Sequence, residues 1–384
     1  MPSTKFRNII YKSALPFFAP NISRSTSAII YGHKISYNIK LQKLLEKHHV
    51  LGSATYIADQ THCSVICQSL TEPPRQIGME SYFRVASITK MVTALMVLIA
   101  TEQGKISLDD SISSFSNLKE KSVILDKITL RQILSHTSGI IDPPSFEEAL
   151  LKQIPFTDLL NKQNNFEINS FRYSNLGFGI VGSILEEIYN KPINDIFEQY
   201  VFKPLNLNAT FLPSTLSENK IVPISRVLPY QNKGIQITKL GARTLNEPDP
   251  LYHYGYTAGA LYITIQSLYR FLLCLKDNGR PLLNTNIGKQ IEKTHSSYGK
   301  ISPGLTYGLG LLKINIPSIS EYTILGHQGF AYGCADGAFW EEKTGNIMIH
   351  LNGGASEARK GKLGLLNIDL LKWALKEEIP QWSR

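Results

Sequence analysis

The densest apolar stretch of the chain lies between residues 87 and 103. Met91, Val92, Ala94, Leu95, Met96, Val97, Leu98 and Ile99 leave a helix there no polar face, and a helix that is apolar all round is a buried one. Gly104 ends it. Upstream, "YNIKLQKLLEKHH" carries Ile39, Leu41, Leu44 and Leu45 at helical spacing, with Gly52 as its stop. Two strand-like runs follow, "SATYIAD" and "THCSVICQS". From 105 to about 280 the pattern is helix and loop. "ITLRQILSH", "SNLGFGIVGSILEEIYN", "INDIFEQYVFKPL" and "TIQSLYRFLLCLKDNG" read as helices, the last capped by Thr264 and ended by Gly279. After about 305 strand patterns return in "TYGLGLLKI", "EYTILGHQGF", "DGAFWEE" and "NIMIHLNGG", before a closing helix "LLNIDLLKWALKE". Strands at both ends around a helical middle predict one sheet assembled from both ends with a helical domain inserted, an α+β class. The expected division is a loose lead-in at 1–36 and one domain at 37–384. Its α/β part spans about 37–104 and 281–384, and its mainly helical part about 105–280.

Composition narrows the function classes. The chain has 384 residues, 43% hydrophobic and 18% charged, enough for a substantial core. The formal net charge of +9 is scattered rather than clustered, which disfavours nucleic acid as a partner and leaves a mild attraction for acidic substrates. Four cysteines make no disulfide framework. Cys63 and Cys67 on one strand would sit about 13 Å apart, beyond the roughly 7 Å a bridge allows; all four read as buried small hydrophobes. No stretch reads as a transmembrane helix. Lys12 and two prolines make the N-terminus a poor signal peptide, so the compartment stays open.

The buried helix begins with a serine and, three residues on, a lysine. Residues i and i+3 share a helix face. Burial lowers a lysine's pKa and makes it usable as a base, and serine needs such a base to become a nucleophile. The free N–H groups of a helix start can also stabilise an oxyanion. The plain alternative is a lysine that snorkels to water. Ser-x-x-Lys occurs at Ser87–Lys90, Ser116–Lys119, Ser217–Lys220 and Ser297–Lys300, but only the first pair opens a buried helix. Tyr173-Ser-Asn175 precedes another helix, where a phenol can relay a proton and an amide can orient the lysine or grip a carbonyl; otherwise Tyr173 packs and Asn175 is an N-cap. Tyr230-Gln-Asn232 repeats that spacing in what reads as a surface loop. His327-Gln-Gly329 lies on a strand, where glycine permits close approach of a backbone or a substrate. His327 could donate to a substrate carboxylate, and the N–H near Phe330 could complete an oxyanion hole with that of Ser87. Otherwise His327 is a satisfied structural histidine.

Ser87-Ile-Thr-Lys90, Tyr173-Ser-Asn175 and His327-Gln-Gly329 together resemble the serine β-lactamase and penicillin-binding-protein superfamily, in the branch of class C β-lactamases, D-Ala-D-Ala carboxypeptidases, D-aminopeptidases and esterases. "LRQILSHTSGI" and "TAGALYIT" resemble two further stretches of that branch, Thr257 and Ala260 departing from the second. The resemblance runs from about residue 40 to the C-terminus. It implies an antiparallel sheet with helices on both faces plus a helical domain, and a cleft between them. It also implies Ser87 as nucleophile, Lys90 and Tyr173 as base and proton relay, and the N–H groups of Ser87 and Phe330 as oxyanion hole. Asn175, His327 and Gly329 would meet the substrate, a small molecule or peptide, with no metal and no cofactor. A literal Lys343-Thr-Gly345 has hairpin-turn chemistry and reads as a turn, so the third motif is assigned to His327. Histidine there is commoner in peptidase-like and esterase-like members, which implies a D-Ala-D-Ala carboxypeptidase or D-amino-acid peptidase. A β-lactamase or a carboxylesterase is the alternative. A non-catalytic module that captures penicillin-like ligands or cell-wall fragments is the alternative of another class. Members are usually extracytoplasmic, which sets the resemblance against the poor signal peptide.

Overall fold

The computed structural model describes residues 9–10, 13–14, 28–32, 37–59, 63–71, 75–115, 125–163, 166–228, 230–232 and 246–376. Ser116–Lys119 lies outside the described residues, as does most of the expected lead-in. Among the described residues nine strands form the main sheet: β1 (Ala28–Gly32), β2 (Leu51–Ala58), β3 (Cys63–Gln68), β4 (Ser296–Ser297), β5 (Leu305–Tyr307), β6 (Leu312–Ile314), β7 (Ile324–Ala331), β8 (Cys334–Glu341) and β9 (Ile347–Gly354). Their spatial order is β1-β3-β2-β9-β8-β7-β6-β5-β4, antiparallel throughout. The seam between the chain's two ends is β2 on β9, from Ile347 opposite Ala58 to Gly354 opposite Leu51. The helical stretch between β3 and β4 leaves the sheet and returns to it.

Helices cover both faces. On one side lie α1 (Tyr37–Lys47) and α5 (Leu365–Lys376), where Leu41, Leu45, Leu370 and Leu371 pack against Ile57, Ile66, Phe339 and Met348. On the other lie α2 (Thr89–Glu102), α3 (Asn175–Tyr189) and α4 (Ile265–Lys276). There Ala54, Val65, Ala338, Ile349 and Leu351 meet Leu95, Leu98, Leu268 and Phe271. Strand alternation makes this possible, since successive side chains of one strand feed opposite cores. Every residue of α2 from Thr89 to Ala100 is buried, as its all-round apolar pattern requires.

Several sequence expectations need correcting. "TYGLGLLKI" is two antiparallel strands, β5 and β6, because Gly308 and Gly310 (φ +65°) turn the chain between them. Gly310 has to be small, since a Cβ there would come within 2.5 Å of the Lys90 carbonyl oxygen. Helix α1 ends at Lys47, before Gly52, because His49 takes the left-handed conformation (φ 50°). Ala28–Gly32, inside the expected lead-in, adds a strand to the sheet. Tyr230–Asn232, read as a loop, pairs with Ser225–Val227. All four cysteines are free, and Cys63 is exposed rather than buried. No described helix is long and apolar enough to cross a membrane.

Candidate active site

The turn that carries Ser87 is tight. A short strand, Tyr82–Arg84, runs into a 3-10 turn at Ala86–Ile88, and α2 starts at Thr89. Ala86 sits at φ +46°, a conformation L-residues avoid. β7 lies against this turn. A Cβ on Gly329 would collide with the Val85 carbonyl oxygen, so this glycine admits another stretch of backbone. Phe330 is the next residue of β7.

Lys90 points back from the first turn of α2 and is fully buried. Its Nζ lies 3.1 Å from Ser87 Oγ, 2.8 Å from Asn175 Oδ1 and 2.6 Å from the Ala258 carbonyl oxygen. The aromatic rings of Tyr173 and Phe178 stand 5.0 Å and 5.4 Å from it. Burial lowers the Lys90 pKa to about 7, Asp142 opposing that shift and Arg84 adding to it. Tyr173 lies beside Ser87, and burial holds its pKa well above the usual phenol range. The snorkelling alternative for Lys90 fails, because its ammonium end finds acceptors inside the protein.

Asn175 is free to face Lys90 because it is not the helix cap. The cap of α3 is Ser174, whose Oγ accepts from Gly177 N–H at 3.0 Å. Asp142 holds this segment from behind. Its carboxylate accepts from Leu176 N–H at 2.8 Å, from Ser174 Oγ at 3.1 Å and from Asn175 Nδ2 at 2.8 Å. His136, in the "HTSG" stretch, props it from another side. Its Nδ1 accepts from Ser174 N–H at 3.2 Å, and its ring lies 4.2 Å from that of Tyr173. Sequence reasoning missed Asp142, His136 and the Ala258 carbonyl. His136 and Ala258 lie in the two further family-like stretches, "LRQILSHTSGI" and "TAGALYIT", but nothing there assigned them a contact with the site, and Asp142, 32 residues before Ser174, carried no local signal.

His327 departs from expectation. It is 3% exposed. Its Nδ1 lies 2.6 Å from the Gln328 carbonyl oxygen, so Nδ1 carries the proton, and Nε2 accepts from the Tyr307 hydroxyl at 2.7 Å. Burial, with Lys90 nearby, lowers its pKa to about 3. It is a neutral ring with both nitrogens satisfied, not a cation waiting for a carboxylate. The decoys fall outside the site. Ser217, Lys220, Ser297 and Lys300 are exposed, and Lys343 is exposed in the turn between β8 and β9, with Gly345 at φ +73°. Among the described residues no group of three or more His, Cys, Asp or Glu side chains could hold a metal ion.

A family model described as "Beta-lactamase" matches residues 41–349. The chain belongs to the beta-lactamase family. The matched span contains all three motifs and both strands of the β2–β9 seam up to Ile349. The chain is 23% identical over 295 residues to a probable fimbrial assembly protein FimD, serogroup H1, of Dichelobacter nodosus, covering 75% of this chain and 70% of that one. Among solved structures it is similar to a D-amino acid amidase from Ochrobactrum anthropi SV3, with 20% identity, a TM-score of 0.70 and coverage of 88% and 97% of the two chains. It is also similar to a D-stereospecific amidohydrolase from Streptomyces sp., with 22% identity, a TM-score of 0.63 and coverage of 83% and 95%. At these identities the structural likeness shows the fold, that of the serine β-lactamases and transpeptidases. Membership of this beta-lactamase family places the chain in a serine hydrolase superfamily.

Proposed function

We infer that the protein hydrolyses amides or short peptides of D-amino acids through an acyl-enzyme on Ser87. One observation carries the reading: the three partners of Lys90 Nζ. The Ala258 carbonyl and Asn175 Oδ1 only accept hydrogen bonds. They take the two N–H groups of a neutral amine, which leaves its lone pair for Ser87 Oγ, the one partner with a proton to give. Lys90 is then the base for the first step. Ser87 Oγ attacks the substrate carbonyl carbon as its proton passes to Lys90, and the N–H groups of Ser87 and Phe330 receive the oxyanion. The C–N bond breaks as the leaving amine takes a proton, relayed by Tyr173, whose raised pKa keeps it a phenol. Water, deprotonated by the same base, attacks the ester, releasing the acid and restoring Ser87.

The neutral His327 supports amides over free acids. With both ring nitrogens bonded inside the protein, the third motif supplies no charge for a substrate carboxylate. That favours a D-amino-acid amidase over a D-Ala-D-Ala carboxypeptidase. The deciding experiment pairs intact-protein mass spectrometry after fluorophosphonate or penicillin treatment with a turnover panel. The panel holds D-amino-acid amides, D-Ala-D-Ala peptides, nitrocefin and p-nitrophenyl esters. An adduct on Ser87, absent in Ser87→Ala, with fastest turnover of D-amides is expected. An adduct on another serine overturns the nucleophile. Labelling without turnover of any substrate points instead to a binding module.

A further inference from the structure

The hydrogen bonds behind Lys90 run in one direction. They start at Asp142, in the loop "GIIDPP" that follows the "HTSG" turn. A carboxylate only accepts. Asn175 therefore presents its amide nitrogen to Asp142 Oδ2 at 2.8 Å, and that choice leaves Asn175 Oδ1 facing Lys90, also at 2.8 Å. An amide's two ends are nearly equal in size, so shape alone does not select its orientation. The other Asp142 oxygen is tied to Leu176 N–H and Ser174 Oγ at the start of α3, which holds the carboxylate still.

We propose that Asp142 is a positioning residue of the active site: it locks the Asn175 amide with its oxygen toward Lys90 and thereby sets when Lys90 holds a proton. The proposal rests on the reading of Ser87 and Lys90 as the reacting pair. Asp142 is the negative charge that opposes the effect of burial on Lys90. The other titratable groups facing Lys90 are Arg84 from the strand before the turn, Tyr173 beside α3, His136, and His327 of β7. Arg84 acts in the opposite sense, and the phenol and the two buried imidazoles are neutral.

Asp142→Asn is the test, because it keeps the size and one accepting oxygen. That oxygen can still serve Leu176 and Ser174, so the new amide nitrogen lands opposite Asn175 Nδ2. Two donors then face each other, and Asn175 turns its own nitrogen toward Lys90. The lost charge and the turned amide both disfavour the ammonium. Lys90 should deprotonate about one pH unit lower, read as the 15Nζ titration of lysine-labelled protein, assigned with Lys90→Arg. The acid limb of the Ser87 acylation rate should move by the same amount. Asp142→Asn combined with Asn175→Asp restores donor to acceptor and puts a carboxylate directly on Lys90, so the midpoint should rise above that of the unmodified protein. Opposite shifts in the single and double variants support the proposal even if Ser87 is never acylated, a result that would sink the catalytic reading alone. An unmoved midpoint in folded Asp142→Asn overturns it. If that variant does not fold, the unmodified protein still decides. Nuclear Overhauser contacts of the Asn175 amide protons with Leu176 N–H support the lock, and contacts with the Lys90 side-chain methylenes overturn it.

Discussion

At the scale of the residue, the protein turns on a lysine that is fully buried with no counter-ion in direct contact among the described residues. Taking an ammonium out of water costs several kcal/mol unless the charge is shed, and Lys90 sheds it near neutrality, its pKa lowered to about 7. The sign of the pH effect on activity follows. Below that value Lys90 is protonated and cannot take the Ser87 proton, so acylation should climb with pH through about 7 and then level, since Tyr173 stays a phenol far into the alkaline range. Lys90→Arg keeps a cation in place but cannot lose its proton. It should lose the roughly 10²–10⁴-fold attributed to general-base catalysis, with no recovery at high pH. Rapid-mixing acylation kinetics with a chromogenic ester check both points. A pH-independent rate would remove Lys90 as the base.

At the scale of the element, the site depends on how closely β7 approaches the turn before α2. Gly329 is the contact point, under the Val85 carbonyl. Gly329→Ala forces β7 or the turn to move. Overpacking of this kind costs about 1–3 kcal/mol, so the urea midpoint should fall modestly. Ser87 acylation should fall much further, because the displaced turn carries the nucleophile and Phe330 moves with β7. Lys343→Ala, in the exposed turn between β8 and β9, should change neither measurement. Equal losses of stability and acylation in Gly329→Ala would mean that the approach is structural only. Capping and glycine patterns marked most of these elements in advance, and Thr264 caps α4 as read from its sequence. What they could not mark was the split into β5 and β6. A run of nine residues reads as one strand until the turn at Gly308 and Gly310 is seen against α2.

At the scale of the whole molecule, the protein stores neutral histidines in its interior. His327 and His350 are both buried, and burial lowers each pKa to about 3; His136 is lowered as well. In the unfolded chain these rings bind protons below about 6.5, and in the folded protein they do not. The unfolded state therefore binds more protons between about 3 and 6.5, and stability falls as the pH drops through that window. Each such histidine contributes a slope of roughly 1.4 kcal/mol per pH unit. Denaturant midpoints measured from pH 7 to pH 4.5 should fall steeply, and His350→Asn should flatten the fall. His350 is the better variant because its Nδ1 bonds to Thr55 Oγ1 at 2.8 Å on the sheet, away from Ser87. A slope unchanged by that substitution would place the proton uptake elsewhere.

The sequence by itself determined the classes of most elements and the burial of α2, and the resemblance of its motifs to one family set Ser87, Lys90, Tyr173 and Asn175 together as neighbours worth testing. Element class and burial are local signals: a hydrophobic period or a cap fits within one or two turns of chain, whereas the grouping of motifs 85 residues apart came from the resemblance. Only the tertiary structure decided what each group can do with a proton. The two acceptors that orient the Lys90 amine lie 85 and 168 residues away along the chain, and Tyr307, which occupies His327, is 20 residues from it. Protonation state depends on burial and on which partners are acceptors only, and both are set by segments that meet through packing. That is why the same reading that placed His327 in the third motif gave it a free N–H for a substrate carboxylate, which the folded protein commits to the Gln328 carbonyl, and why Asp142 stayed unseen until its three donors were in place.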